Sequence, residues 1–155
     1  MVWVSLGGTM TRTLLLALAL GGCFTGAEPN PPVSAEPAWD SPRTRELAQR
    51  ACFDCHSNET VWPWYSRLPI VSGKIAEHVQ EGRSELNFSE WDRPQEEAHE
   101  SAEVVDEGEM PPANYVWLHP EADLTHAERA ELIAGLQRTL GGELQDDRRD
   151  HDDDD

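Results

Sequence analysis

Cysteine is scarce in this chain, which has three in 155 residues. Two of them, Cys52 and Cys55, lie in one short run, and Cys23 lies far upstream. A structural zinc site needs four ligands, usually with a second Cys/His pair, and the sequence has no such pair. A thioredoxin-type redox dithiol is expected beside a βαβ pattern, and no strand pattern longer than a few residues occurs. Zinc held by these cysteines with two histidines, and a redox dithiol, are therefore only minor alternatives.

Basic residues are also few, since 12 Lys and Arg stand against 30 Asp and Glu, for a formal net charge of −18. Proteins bind nucleic acid through Lys and Arg at the phosphates, so this composition argues against a nucleic-acid partner. Complementary charge speeds encounter with a basic protein partner, although solubility alone also explains the charge. Part of the charge lies in residues 143–155, where the run of aspartates predicts a solvated, disordered tail.

The sequence has no apolar run long enough to span a bilayer, because Leu14 to Leu20 falls far short of the roughly 20 residues required. A basic start, a brief apolar run and small residues instead predict an export signal over residues 1–22. Leu20-Gly21-Gly22-Cys23 resembles a bacterial lipobox, which implies cleavage before Cys23 and lipidation of that residue; ordinary secretion is the alternative. The proline-rich residues 23–39 are predicted to form an extended tether.

The most informative motif in the chain is the run Cys52-Phe53-Asp54-Cys55-His56. Its Cys-x-x-Cys-His spacing is that of a c-type haem attachment site. Two thiols three positions apart, near the end of a helical turn, can each form a thioether to one porphyrin vinyl group, and the next residue projects its imidazole at the iron. The motif predicts one covalent haem c, attached through Cys52 and Cys55, with His56 as the proximal iron ligand.

The second axial ligand is less constrained by sequence. Met110 is the only methionine outside the predicted export signal, and a thioether paired with histidine is a known haem ligand set. Two prolines follow it and stiffen the loop, since proline fixes φ and has no N–H. Met110 is therefore the preferred distal ligand, and His78, His119 and an open sixth position are the alternatives.

Apolar spacing and capping residues predict helices and no strands. The first helix opens at Asp40-Ser41-Pro42 and runs through Cys52 to about His56, and the second covers Ile70 to Glu81 with Gly82 as its stop. A capping box is predicted at Ser89 and Asp92, followed by a helix from about Gln95 to Glu107, and a second capping box at Thr125 and Glu128 opens the last helix, which ends at Gly141-Gly142.

Between the first two helices, residues 62–69 are predicted to form a loop packed on a flat apolar surface, for which haem is the candidate. The predicted domain spans residues 40–142.

These motifs together resemble a known family. The run from Cys52 to Asn58, Trp64-Tyr65-Ser66, Glu81-Gly82-Arg83, the run from Leu86 to Trp91, Met110-Pro111-Pro112 and the run from His119 to Ala122 are similar to the small bacterial haem-binding domain family, within the cytochrome c group. The resemblance implies an all-α, cytochrome c-like fold of about four helices with long loops wrapped around one haem. Arg83 is a candidate partner for a haem propionate. Haem c attachment outside the cytoplasm implies the periplasmic face of a bacterial membrane, as an outer-membrane lipoprotein.

The leading functional hypothesis is an electron carrier, because the motifs contain no catalytic base, nucleophile or substrate pocket. Its partners would be other periplasmic redox proteins. The alternative is a haem-based sensor or peroxidase-like enzyme, which needs an open or displaceable sixth position. In that case His78 or His119 would act as a distal base.

Overall fold

The structure is a computed structural model that describes residues 29–141. The predicted export signal (1–22), the lipidation candidate Cys23 and the acidic tail (143–155) lie outside the described residues. Within 29–141 the chain is helical, with a single isolated β-bridge between Ala35 and Glu90. The all-α prediction is therefore confirmed. None of the described helices has the length and apolar content needed to cross a membrane.

The described chain forms six α-helices with three short 3₁₀ segments between them. The helices are α1 (Pro42–Ala51), α2 (Phe53–His56), α3 (Ser72–Glu85), α4 (Ser101–Asp106), α5 (Ala113–Leu118) and α6 (His126–Leu140), and the 3₁₀ segments are Trp64–Arg67, Glu96–Glu100 and Pro120–Ala122. The sequence did not predict α5.

The first helix begins where the sequence predicts. The hydroxyl of Ser41 accepts a hydrogen bond from the backbone N–H of Thr44, and Pro42 occupies the first turn, where its missing N–H costs nothing. The predicted single helix is divided at Cys52, whose φ of −124° departs from helical geometry. Helix α2 then carries the rest of the Cys-x-x-Cys-His motif as a separate turn.

The second helix is longer than the sequence predicts, and the prediction that Gly82 ends it is wrong. Helix α3 continues to Glu85, and Gly82 lies inside it. A Cβ placed on Gly82 would come within 2.7 Å of the carbonyl oxygen of Cys55. Gly82 therefore permits close packing of α3 on α2. From sequence alone, a glycine with this role cannot be told apart from a glycine that ends a helix.

The predicted capping box at Ser89 is also wrong. The Ser89 hydroxyl accepts a hydrogen bond from the backbone N–H of Asn58 at 2.9 Å, and the Asp92 carboxylate accepts one from the Ser34 hydroxyl at 2.6 Å. Both side chains thus fasten loops together and cap no helix. The helix predicted from Gln95 begins as a 3₁₀ turn and becomes α-helical only at Ser101.

The terminal helix follows its prediction. The Thr125 hydroxyl accepts from the Glu128 N–H at 3.2 Å, while the Glu128 carboxylate accepts from the Thr125 N–H at 3.0 Å. Gly141 ends the helix with a φ of +83°, a conformation that side chains rarely adopt. Helix α6 packs against α1 and α4, and its Leu132 and Leu136 are fully buried in the core.

The last part of the predicted tether lies along the domain. The backbone N–H of Ser34 donates to the carbonyl of Ser89 at 2.9 Å, and Glu36 forms an ion pair with Arg45 at 2.7 Å. The ring of Trp39 packs on Phe88, with centroids 5.2 Å apart. These contacts attach the chain to the body well before α1 begins.

Candidate haem site

Four residues of the Cys-x-x-Cys-His motif, Cys52, Asp54, Cys55 and His56, line one cleft. It consists of two cavities of about 370 and 210 Å³, which share Cys52, His56, Glu85 and Met110 in their walls. Cavities that hold small molecules and cofactors span about 300–1,000 Å³. The walls come mainly from α2, α3, α4 and the loop at Met110, with smaller contributions from α5 and α6. The fold thus brings both predicted axial ligands to the same space although they are far apart in sequence.

The two motif cysteines are free thiols on this cleft. Burial raises the pKa of Cys52 to about 12 and that of Cys55 to about 11. Redox-active dithiols work through thiolates with lowered pKa values, so this environment argues against the redox dithiol alternative. Among residues 29–141 no group of three or more His, Cys, Asp or Glu side chains is arranged to hold a metal ion, which leaves the zinc alternative without a ligand set there.

The imidazole of His56 is held in one orientation by the backbone. Its Nδ1 lies 3.2 Å from the carbonyl oxygen of Leu86, and a ring N–H there donates to that oxygen. Nε2 is then left as the acceptor, which is the arrangement that metal-binding histidines show. Burial lowers the pKa of His56, and this favours the neutral form that binds a metal.

A buried polar cluster fixes the segment that carries this carbonyl. The amide of Asn87 donates to Oδ1 of Asn58 at 3.0 Å, and its own Oδ1 accepts from the Ser89 N–H at 2.9 Å. The backbone N–H of Phe88 donates to the carbonyl of His56 at 2.8 Å. The Asn87-Phe88-Ser89 run is therefore joined to the residues that directly follow the haem motif.

Met110 lies at the junction of the two cavities. Its side chain is half-buried and packs against the hydrophobic core, and its backbone N–H donates to the carbonyl of Val104 at 3.0 Å. The peptide bond between Met110 and Pro111 is cis. Of the two alternative distal residues, His78 is exposed and lines the larger cavity together with His56 and Met110.

His119 lies elsewhere. Its ring is buried and stacks on Tyr115 with centroids 4.1 Å apart. Its Nε2 lies 2.6 Å from the hydroxyl of Tyr65, and its Nδ1 lies 3.3 Å from the carboxylate of Glu121. The ring lines a third cavity of about 290 Å³, bounded also by Cys55 and His78, and not the two that meet at Met110.

The sequence did not predict a hydrogen bond between Tyr115 and Asp54, the third residue of the Cys-x-x-Cys-His motif. The hydroxyl of Tyr115 donates to Oδ2 of Asp54 at 2.8 Å, and the backbone N–H of Val61 donates to Oδ1 at 2.9 Å. Burial, and then the negative charge of Asp54, hold the pKa of Tyr115 well above its usual value, so its hydroxyl remains a donor. No local sequence pattern predicts the contact between Tyr115 and Asp54, because the two residues are 61 positions apart.

Arg83 is engaged by loop residues. Its Nε donates to the carbonyl of Ser57 at 2.8 Å, and its terminal nitrogen donates at 2.9 Å to both Asn30 and Thr60. Arg83 does not line the two cavities of the cleft, and neither does any other described Lys or Arg. Their walls instead include glutamates, namely Glu81, Glu85, Glu97 and Glu100. Pairing of Arg83 with a haem propionate stays a prediction.

The aromatic loop predicted to pack on haem is placed differently. Trp64 is largely exposed, and Tyr65 faces the third cavity with Pro63. Neither Trp64 nor Tyr65 lines the cleft between His56 and Met110. The alternation of proline and aromatic residues does predict an irregular segment, which the structure has as a short 3₁₀ turn within a loop.

A comparison with known families identifies the class of protein. The family described as a haem-binding domain matches residues 19–138, which is most of the chain and includes every wall of the cleft. The protein belongs to this haem-binding domain family. No curated protein and no solved structure matches the sequence significantly.

The cleft fits the haem that the family binds. It presents two thiols, an oriented imidazole and a thioether to one space, and its walls include the apolar side chains of Leu86, Phe88 and Leu136. Cysteine, histidine and methionine are all established haem-binding residues in proteins.

Proposed function

We propose that this protein is a monohaem c-type cytochrome that carries electrons between redox proteins outside the cytoplasm. In this proposal Cys52 and Cys55 hold the haem covalently, His56 binds the iron on one side and Met110 on the other. Lipidated Cys23 anchors the protein at the periplasmic face of a bacterial membrane, as an outer-membrane lipoprotein. The observation that carries the proposal is the convergence of these four side chains from the domain on one cleft.

The bound haem supplies a one-electron redox couple, and the residues of the chain fix its environment. The Leu86 carbonyl fixes the orientation of the His56 imidazole, and the hydrogen bond between Asn87 and Asn58 holds the segment that carries this carbonyl. With His56 and Met110 both held by the fold, the bound haem would change charge with little movement of these two side chains. Apolar walls limit the access of water, which is one of the means by which proteins tune the potential of a haem.

Covalent attachment is tested by expressing the full chain with a working cytochrome-maturation system. The denatured protein should keep its haem, and the pyridine haemochrome spectrum should be that of a porphyrin with both vinyl groups saturated. The single variants Cys52→Ala and Cys55→Ala should each shift the spectrum toward one remaining thioether. Colourless exported protein without added mass would refute the proposal.

The distal ligand is tested by the variant Met110→Ala. The oxidised protein should lose the weak near-infrared absorption band that arises from methionine sulfur bound to ferric haem, because Met110 is the only methionine in the walls of the cleft. His78→Ala is the matched control, since His78 lines the same cavity, and it should keep the band. A band that survives in Met110→Ala excludes Met110 as the ligand.

One observation supports a second candidate function, a haem-based sensor or peroxidase-like enzyme. His78 is exposed at the same cavity as Met110, and Met110 is only half-buried, so an added ligand has a route to the iron beside a histidine that can act as a base. Rapid stoichiometric binding of carbon monoxide to the reduced protein would favour this candidate. Resistance to carbon monoxide at neutral pH would favour the electron carrier.

A further inference from the structure

The domain has an exposed apolar face that is separate from the walls of the haem cleft. We define the apolar face by its seven exposed side chains: Val61, Trp64, Leu68, Ile70, Val71, Trp117 and Leu118. Ile70 is 92% exposed, Trp117 83% and Trp64 76%, and Val33 is the only other large exposed hydrophobic residue between 29 and 141. Single exposed apolar residues are common, but grouped ones mark contact surfaces.

Two chain segments form this face, and the fold joins them. Val61, Val71 and Leu118 all line the third cavity, of about 290 Å³. The hydrogen bond between the Tyr65 hydroxyl and His119 Nε2 ties the loop at 61–71 to the end of α5. Three of the seven side chains thus surround one cavity, and the other four are their neighbours in the same two segments.

The two segments that supply the apolar face differ from the rest of the chain in their content of acidic residues. Residues 60–76 and 110–120, which supply it, contain no Asp or Glu, although the chain has 30 acidic residues. The same stretch carries Arg67 and Lys74, the only lysine of the chain. A basic protein partner would be drawn to the glutamates around the haem cleft instead. Segments that contribute exposed tryptophans and no acidic side chains of their own suit a lipid headgroup layer, where Trp is enriched. The acidic side chains next to them are paired, since Asp54 accepts hydrogen bonds from Tyr115 and Val61, and Glu77 forms an ion pair with Lys74.

The predicted tether enters the domain at the edge of this face. The side-chain amide of Asn30 donates to the carbonyl of Thr60 at 2.8 Å, and Thr60 directly precedes Val61. Cys23 lies seven residues before Asn30, a distance that even a fully extended chain covers in at most about 25 Å. An acyl anchor at Cys23 therefore keeps the Val61 edge of the domain near the bilayer.

We propose that the apolar face docks on the surface of the membrane that holds the lipid anchor, with Trp64, Ile70 and Trp117 in the headgroup layer. This inference rests on the proposed lipidation of Cys23. Cys55 and His78 line both the third cavity and the larger cavity of the haem cleft. Docking therefore orients the domain, with the Cys55 side of the haem site toward the bilayer.

The test uses the mature, haem-loaded, lipidated protein in phosphatidylcholine vesicles that contain a photoactivatable phosphatidylcholine. After illumination, mass spectrometry maps the lipid adducts on peptides. Adducts are expected on peptides that cover 61–71 and 117–118 and on the peptide next to Cys23, and not on the peptide with exposed His99. Adducts confined to the Cys23 peptide, or spread evenly over the domain, would overturn the proposal.

A variant pair sharpens the result. Ile70→Ser with Trp117→Ser should reduce adducts on the face several-fold while the haem content and the Cys23 adducts stay unchanged. Val33→Ser, which removes an exposed apolar side chain outside the face, should have no effect. Adducts on the face without any near Cys23 would refute the anchor and leave the docking surface standing. If the face becomes protected only as protein density on the vesicles rises, it binds a second copy of the chain, and membrane docking is refuted.

Discussion

Gly82 lies inside α3 at the point where that helix crosses the haem motif. The space above its Cα is taken by Cys55, whose carbonyl oxygen, carbonyl carbon and Cβ would lie 2.7 to 3.1 Å from an added methyl group. Real Cβ atoms do not approach backbone this closely, so one of the two helices would have to move. The position of a haem-attachment cysteine thus depends on a residue that carries no functional group.

The variant Gly82→Ala is expected to destabilise the domain and to lower the yield of haem-loaded protein. Helix propensity alone favours alanine by about 1 kcal/mol, whereas overpacking costs about 1–3 kcal/mol, and here the neighbour is rigid backbone. Gly73→Ala is the matched control in the same helix, because an added Cβ there meets nothing within 4 Å. Thermal melting followed by far-ultraviolet circular dichroism, with haem content by absorbance, measures both effects. Equal melting temperatures for the two variants would contradict this account.

For single residues, the sequence predicts a role in haem binding where the residue type is rare in the chain or where the spacing of a motif is fixed. Cys52, Cys55 and His56 follow from spacing, and Met110 from being the lone methionine outside the predicted export signal. Contacts such as Tyr115 with Asp54 could not be predicted, because they join distant segments and depend on how α5 packs. His119 illustrates the same limit, since its stacking on Tyr115 is visible only in three dimensions.

Helices with local end signals are predicted well, and those shaped by packing are not. Helix α6 has a reciprocal capping box at Thr125 and Glu128 and a glycine with positive φ at its end, so both limits can be read from the sequence. Helix α3 passes through Gly82 because tertiary packing overrides the stop signal. Ser89 could not be distinguished from a cap residue until its partner, Asn58, was known.

The start of α6 also predicts how stability depends on pH. Hydrogen bonds from Arg50, and then from the Thr125 backbone and hydroxyl, lower the pKa of Glu128 to about 2 from a usual 4.5. A carboxyl group whose pKa is lower in the folded state stabilises the fold above its unfolded pKa. That contribution is lost as the pH falls. The melting temperature should therefore fall between pH 4.5 and 2, in part because of this one residue.

The contribution of Glu128 is isolated by Glu128→Gln. The variant should melt at a lower temperature than the wild type at neutral pH, and the difference should shrink as the pH falls toward 2. Glu131→Gln is the control, since Glu131 lies in the same helix and pairs with Arg43 at its surface. If the gap between Glu128→Gln and wild type stays constant over this range, the carboxylate of Glu128 does not link folding to protonation.

At the scale of the whole domain, the haem cleft lies between two groups of packed helices. Helices α1, α4 and α6 form a continuous buried core around Leu47, Leu132 and Leu136. Helix α3 contacts mainly α2 and the 3₁₀ turn at Trp64–Arg67, and the cleft lies between it and α4. The two groups of helices therefore have few direct contacts across the haem site, and the haem itself is expected to join them.

The double variant Cys52→Ala, Cys55→Ala should consequently be poorly folded. Without attached haem the apolar walls of the cleft would face water, and burial of a large apolar macrocycle at about 25 cal/mol per Å² contributes several kcal/mol. That contribution is comparable with the whole net stability of a domain, about 5–15 kcal/mol. We expect a broad, low-temperature transition by circular dichroism, with hydrogen exchange accelerated most in α3. Met110→Ala, which keeps the covalent attachment, is the control and should retain a cooperative transition. If the double variant melted sharply without haem, near the temperature of the loaded protein, the core around α6 would be sufficient to hold the fold, and the haem would have no structural role.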